Sequence, residues 1–132
     1  MLRKWLHGYL QHSEIEDFVC WLQQFPEVKV ERRAYRGLSF SQYPQQSKIE
    51  NQKICSWSTD KNVAEYFASH QKYGFVLEAT VSGWDIRKIL EILRSRNQLD
   101  PRLKNYRTSG DEFEILAPLN VNEAKFRRVG IR

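Results

Sequence analysis

The spacing of apolar residues changes period several times along this chain, and those changes set the class of fold open to it. Ile15, Phe18, Val19, Leu22 and Phe25 recur at the interval that gathers side chains on one face of an α-helix, and the run stops at Pro26. Ser13 and Glu16 stand three residues apart just ahead of it, in the pattern of a capping box, so a helix is predicted over 13–25. Trp5, Leu6, Tyr9 and Leu10 suggest a shorter helix before it, broken near His12. Residues 28–36 then alternate in part and meet Gly37, which predicts a strand carrying Arg36 at its end. A polar, turn-rich stretch over 38–52 leads to a short strand over 53–58. Thr59 or Asp60 is placed to cap the next helix, with Val63, Ala64, Phe67 and Ala68 on one side. Residues 74–81 are rich in β-formers, and Asp85 opens a helix with Ile86, Ile89, Leu90 and Leu93 at i, i+3, i+4 and i+7. After a polar, basic stretch from Asn97 to Gly110 come Phe113, Ile115 and Leu116, then Pro118, and a last strand is predicted over about 124–131. Strands in separated places, with helices early and in the middle, describe an α+β fold and not a regular βαβ alternation.

With 132 residues the chain can close one hydrophobic core and not two, so a single domain is expected. Its 41% hydrophobic and 13% aromatic content is enough to close that core. Cys20 and Cys55 lack metal-ligand spacing and form no cluster with His7, His12 or His70, so no metal is expected. Two isolated thiols read as small buried hydrophobes in a reducing compartment, and no signal-peptide or membrane-spanning stretch is visible. The expected location is therefore the cytoplasm, of the producing or of a target cell, with no membrane partner. Lys and Arg outnumber Asp and Glu by 21 to 16, which favours phosphates, nucleic acid or acidic protein faces as partners and chooses among none of them.

Three short pieces place polar groups at the ends of apolar runs: Tyr35-Arg36-Gly37, Ser56-Trp57-Ser58 and Glu112-Phe113-Glu114. In a strand, Glu112 and Glu114 share a face while Phe113 turns the other way, so two carboxylates meet at one place. Such a pair has a reason where a cation or a developing positive charge sits between them. Each piece also has an ordinary explanation. Glu-x-Glu is common on solvated edge strands, serines ahead of a helix are common turn hydroxyls, and Arg36 follows Arg32 and Arg33 in a basic strand. Gly37, directly after Arg36, permits close backbone approach to a ligand.

In this order the three pieces resemble the R-S-E group of mono-ADP-ribosyltransferases, the arginine-type enzymes similar to cholera toxin and to the C2 and C3 toxins. Their pattern is an aromatic-Arg-Gly strand, a Ser-x-Ser strand and a Glu-x-Glu strand. The stretch from Ser56 to Phe67, with Val63-Ala64 and then an aromatic residue, and the ending Glu114-Ile-Leu-Ala-Pro118 are similar to the family as well. The resemblance covers about residues 28–118. Trp57 departs from it where a small residue is usual, and alternation turns its side chain away from any ligand held by Ser56 and Ser58. Two small packed antiparallel or mixed sheets with flanking helices are implied, with 1–26 as a helical N-terminal part and 27–132 as the catalytic core.

NAD is the implied co-substrate. The resemblance implies that Arg36 pairs with its pyrophosphate through two parallel hydrogen bonds, with Gly37 and Ser58 beside it and Tyr73, or another aromatic of that loop, over the nicotinamide ring. Ser56 orients Glu114, which holds the nicotinamide ribose and stabilises the cation formed as nicotinamide leaves. Glu112 meets the acceptor, and a glutamate there implies protein arginine. The basic residues Arg94, Arg96, Arg102, Lys104 and Arg107 suggest a target with an acidic face. The same NAD site acting on nucleic acid or on water, and a non-catalytic basic binding or inhibitor protein, are the competing readings.

Overall fold

The computed structural model describes residues 2–6, 8, 10–44, 49–103 and 114–129. Helix α1 (Leu2–Leu6) and helix α2 (Ile15–Leu22) precede strand β1 (Lys29–Phe40). Strand β2 (Gln52–Ser58), helix α3 (Lys61–Ala68), strand β3 (Tyr73–Asp85) and helix α4 (Ile86–Ser95) follow, and strands β4 (Glu114–Leu119) and β5 (Lys125–Val129) complete the described elements. Mixed α+β is therefore the architecture. Among the described residues no helix is long and apolar enough to cross a membrane, and no group of acidic, histidine and cysteine side chains is arranged to hold a metal ion.

The strands form one antiparallel sheet that closes on itself, where two separate packed sheets were expected. β1 pairs with β3 over its whole length, from Lys29 opposite Trp84 to Phe40 opposite Tyr73. β3 also pairs with β5 at its start and with β4 at its end, through Trp84–Leu116 and Asp85–Ile115. β4 pairs with β2, and β2 returns to β1 through the one pair Tyr35–Ser58. The 13-residue β3 thus spans both halves of the structure, and its length joins what would otherwise be two sheets.

Alternation along the strands sorts side chains into separate apolar clusters. Ala34, Cys55, Trp57, Leu77, Val81, Ile115, Ala117 and Leu119 fill the inside of the ring. Ile54, Trp84 and Leu116 point the other way and pack with Phe18 and Leu22 of α2 and with Ile86, Ile89 and Leu90 of α4. Trp57 is 2% exposed, and its indole N–H donates to the Ala117 carbonyl at 3.3 Å. Removing an indole of this size from water contributes on the order of 5 kcal/mol, which accounts for a tryptophan where the resemblance has a small residue.

Several boundaries differ from expectation for local reasons. The capping carboxylate near α2 is Glu14, which accepts the Gln11 N–H at 3.1 Å and the Lys4 ammonium at 2.7 Å, while Glu16 is turned outward to Lys53. α2 ends at Leu22, short of Phe25, and the chain turns over before Pro26. β1 does not end at Gly37 but continues to Phe40, because β3 pairs with it throughout. β3 likewise runs to Asp85, whose carboxylate accepts the Lys88 N–H and caps α4. The predicted last strand is described as far as Val129, and residues 130–132 lie outside the described residues.

Candidate active site

Ser58 pairs with Glu114 across β2 and β4, and Ser56 pairs with Leu116. Ser56 is therefore the diagonal neighbour of Glu114 on the same face of the sheet, within reach of a long side chain. Its hydroxyl donates to the Glu114 carboxylate at 2.5 Å. Arg36 enters from β1, next to the single Tyr35–Ser58 pair, and its Nη1 donates to the Ser56 carbonyl at 2.9 Å. One backbone segment, Ser56, thus holds both the cation and the carboxylate.

These groups line a cleft of about 260 Å³ whose opposite wall is α3, through Val63, Ala64 and Phe67. The Asp60 carboxylate caps α3 by accepting the Asn62 N–H at 2.9 Å. Ser58 supports the same turn, since its oxygen accepts the Asp60 N–H at 3.0 Å; it is 7% exposed and lines the cleft from that position. Glu114 is also part of two neighbouring clefts. One, of about 370 Å³, is bounded by Trp5, Leu6, Leu10 and Ile15 of the N-terminal segment. The other, of about 390 Å³, is bounded by Arg32, Arg33 and Arg87.

The Arg36 guanidinium is less open than a free fork. Its Nε is buried with no hydrogen-bond partner among the described residues, and Nη1 already serves Ser56, so only the Nη edge can meet a phosphate. Its charge also reaches the Cys55 thiol inside the ring. Burial pushes that thiol up from its ordinary pKa, and the guanidinium opposes the shift in part.

Gly37 lines the cleft, but its missing side chain serves α3. A Cβ there would lie 2.0 Å from the Ala64 carbonyl oxygen and 2.9 Å from the Ala68 nitrogen. Tyr73 is not brought to the cleft. It opens β3 opposite Phe40, with its ring edge-on to Tyr43 at 5.4 Å and the Arg128 guanidinium above it at 5.3 Å. Four strand positions separate it from Leu77, the partner of Arg36, a distance of about 13 Å. The aromatic residue in the cleft wall is Phe67, 39% exposed, with Tyr66 and His70 packed edge-on beside it. Helical spacing placed Phe67 on the buried face of α3, and its exposure at the lip follows only from where α3 sits against β1.

Glu112, with Asp111, Phe113, Lys104 and Arg107, lies outside the described residues. Of the basic run toward which an acidic target was expected, Arg96 faces Glu27 at 3.8 Å and Arg102 holds Asp100 at 2.9 Å. Hydrogen bonds from the Arg102 side chain and backbone hold the Asp100 carboxyl down to about 2.

Comparison with protein-family models, curated proteins and solved structures gives no match. What the chain can do chemically rests on its own geometry. A carboxylate fixed by a hydroxyl donor, beside a guanidinium and an aromatic wall, is arranged to stabilise positive charge on a ligand that also carries negative groups.

Proposed function

We propose that the chain is an NAD-dependent mono-ADP-ribosyltransferase whose acceptor is a protein arginine. One observation carries this reading: Arg36, Ser56 and Glu114, from three strands far apart in sequence, meet in one cleft with the Ser56 hydroxyl bonded to the Glu114 carboxylate. None of these contacts follows from the ordinary explanation of any of the three motifs.

In this reading Glu114 accepts hydrogen bonds from the nicotinamide ribose and faces its anomeric carbon. The bond from that carbon to the nicotinamide nitrogen breaks, and the electron pair leaves with nicotinamide, which departs neutral. Positive charge on the ribose is then stabilised by a carboxylate that needs no reorganisation, because Ser56 already holds it. A nitrogen of the acceptor guanidinium forms the new bond to the same carbon and loses a proton, a step the resemblance assigns to Glu112 as base. The Nη edge of Arg36 offers its donors to the nearer phosphate. At about 260 Å³ the cleft is below the usual range of roughly 300–1,000 Å³ for small-molecule sites, so it suits the nicotinamide-ribose half, with the rest of NAD extending outward.

The test is labelled NAD with purified protein and a cell lysate. Labelled protein bands are expected, and Glu114→Gln should remove labelling while the thermal melt stays that of a folded protein. Unchanged labelling in that variant would refute the site, and label released by nuclease but not by protease would replace protein with nucleic acid as the acceptor.

A further inference from the structure

Where the end of β1 meets the start of β3, aromatic rings and basic side chains share one surface. The Tyr43 and Tyr73 rings meet edge-on at 5.4 Å, Tyr43 also meets Phe75 at 6.1 Å, and Phe75 meets Phe40 at 6.2 Å. The Arg128 guanidinium lies over both tyrosines, 5.7 Å from the centre of the Tyr43 ring and 5.3 Å from that of Tyr73, and the Lys72 ammonium lies 5.4 Å from Tyr73. We propose that this surface binds single-stranded nucleic acid. The inference goes beyond the transferase reading and does not rest on it, since Tyr73 is four strand positions from Leu77, the partner of Arg36.

Strand register builds the surface. Phe40 is opposite Tyr73, Leu38 and Arg128 are opposite Phe75, and Phe126 is opposite Leu77. Phe126 and Arg128 are two positions apart on β5, so they share a face and stand about 7 Å from each other. None of the side chains that β1, β3 and β5 place on this face over 36–40, 73–77 and 126–128 is a carboxylate. Elsewhere on the surface Arg33, Arg96, Arg102 and Arg127 each face a carboxylate at 3.8 Å or less. Arg128 and Lys72 face rings in that place, and among the described residues neither has an ion pair.

Each part of a single strand has a counterpart here. A guanidinium held over a ring keeps its N–H donors for a phosphate, because the ring takes none of them in line. Tyr43, 61% exposed, and Phe126, 41% exposed, offer ring surface on which unpaired bases stack. Beside Tyr43 a groove of about 410 Å³ presents the hydroxyl of Ser41 and the amides of Gln42 and Gln71, groups suited to the base edges that a single strand leaves open. An acidic peptide would use the cations and leave the rings without a role. An apolar partner would use the rings and bury two charges without partners. A duplex keeps its base faces inside its own stack, so only a strand with exposed bases uses both kinds of group.

The test is fluorescence anisotropy, without NAD, using a labelled oligothymidylate of about twelve nucleotides, a length within the range covered by small barrels. The same oligonucleotide paired with oligoadenylate, and a labelled polyglutamate peptide, are the comparisons. The single strand should bind at least about tenfold more tightly than either. Tyr43→Leu and Phe126→Leu keep apolar bulk at exposed positions and remove the ring, and each should weaken binding about tenfold with little change in its salt dependence. Arg128→Gln should weaken binding and make the slope of log affinity against log salt shallower by about 0.7, the value for one lost phosphate contact on a single strand. Thermal melts show that each variant is folded. Absence of binding to oligothymidylate, duplex or polyglutamate bound as tightly as the single strand, full affinity in both ring variants, or an unchanged salt slope in Arg128→Gln would overturn the proposal.

Discussion

Replacing Gly37 with alanine distinguishes a glycine kept for a ligand from a glycine kept for a helix. The added Cβ would lie 2.0 Å from the Ala64 carbonyl oxygen, 2.9 Å from the Ala64 carbonyl carbon and 2.9 Å from the Ala68 nitrogen. All three are backbone atoms in α3, so no side-chain rotation relieves the contact. Van der Waals separation requires α3 to retreat by more than about 1 Å, and close-packed interiors do not yield that distance without opening gaps elsewhere. Ala64 and Ala68, both essentially buried against Val76, would lose part of that packing. Overpacking of this kind costs about 3 kcal/mol, the upper part of the range for a small-to-large change. In a domain of this size that corresponds to a fall in Tm of about 10 °C. Thermal unfolding followed by circular dichroism measures it, with Gly8→Ala as the comparison. Gly8 has φ +77° and open space where its Cβ would be, so its substitution carries only the left-handed backbone cost of about 1 kcal/mol. Because α3 supplies Val63, Ala64 and Phe67 to the cleft, NAD cleavage should fall together with stability in Gly37→Ala. A variant that melts with wild type, and loses only NAD binding, would refute the packing argument and return Gly37 to a ligand-contacting role.

Ser56→Ala removes the donor that fixes Glu114 and should lower NAD cleavage about 100-fold, at a cost in stability of only about 1 kcal/mol, with Ser56→Thr restoring part of the rate. Steady-state cleavage and thermal melts check it; an unchanged rate would show that the hydroxyl does not position the carboxylate. Of the two thiols, exposed Cys20 should react at once with a disulfide reagent in native protein and buried Cys55 only on unfolding. Because burial raises the Cys55 pKa in the folded state, the unfolded chain loses that proton first as pH rises past 9.0. Urea denaturation should therefore show stability falling in alkaline solution, and less steeply in Cys55→Ala.

Local chemistry was legible wherever one element decided it alone. The helix beginning at Asp85, with Ile86, Ile89, Leu90 and Leu93 inside, follows from a cap and a repeat, and Asp60 caps α3 for the same reason. Trp57 is turned away from Ser56 because strand alternation requires it. Signals that depend on a neighbour misled. Ser13 and Glu16 have capping-box spacing, yet Lys4 and Gln11 draw Glu14 into that role while Lys53 holds Glu16 outside. Gly37 looked like the end of a strand because glycine often is, but its space is filled by the backbone of α3. The resemblance assigned Tyr73, or another aromatic of its loop, to the nicotinamide ring, and the strand begins at Tyr73 itself, on the Tyr43 and Arg128 side.

The sequence by itself determined the residue types available for chemistry, their place on strands and helix caps, and the α+β class, because capping and alternation are properties of a few adjacent residues. Only the tertiary structure decided which of them meet. The Ser56–Glu114 hydrogen bond depends on the register of β2 against β4, the Arg36 contact on a single bridge between β1 and β2, and the arginine cleft on β3 carrying α4 back toward β1. Register and strand order are set by how the inner cluster around Trp57 packs across the ring, a balance summed over the whole core that no short segment contains.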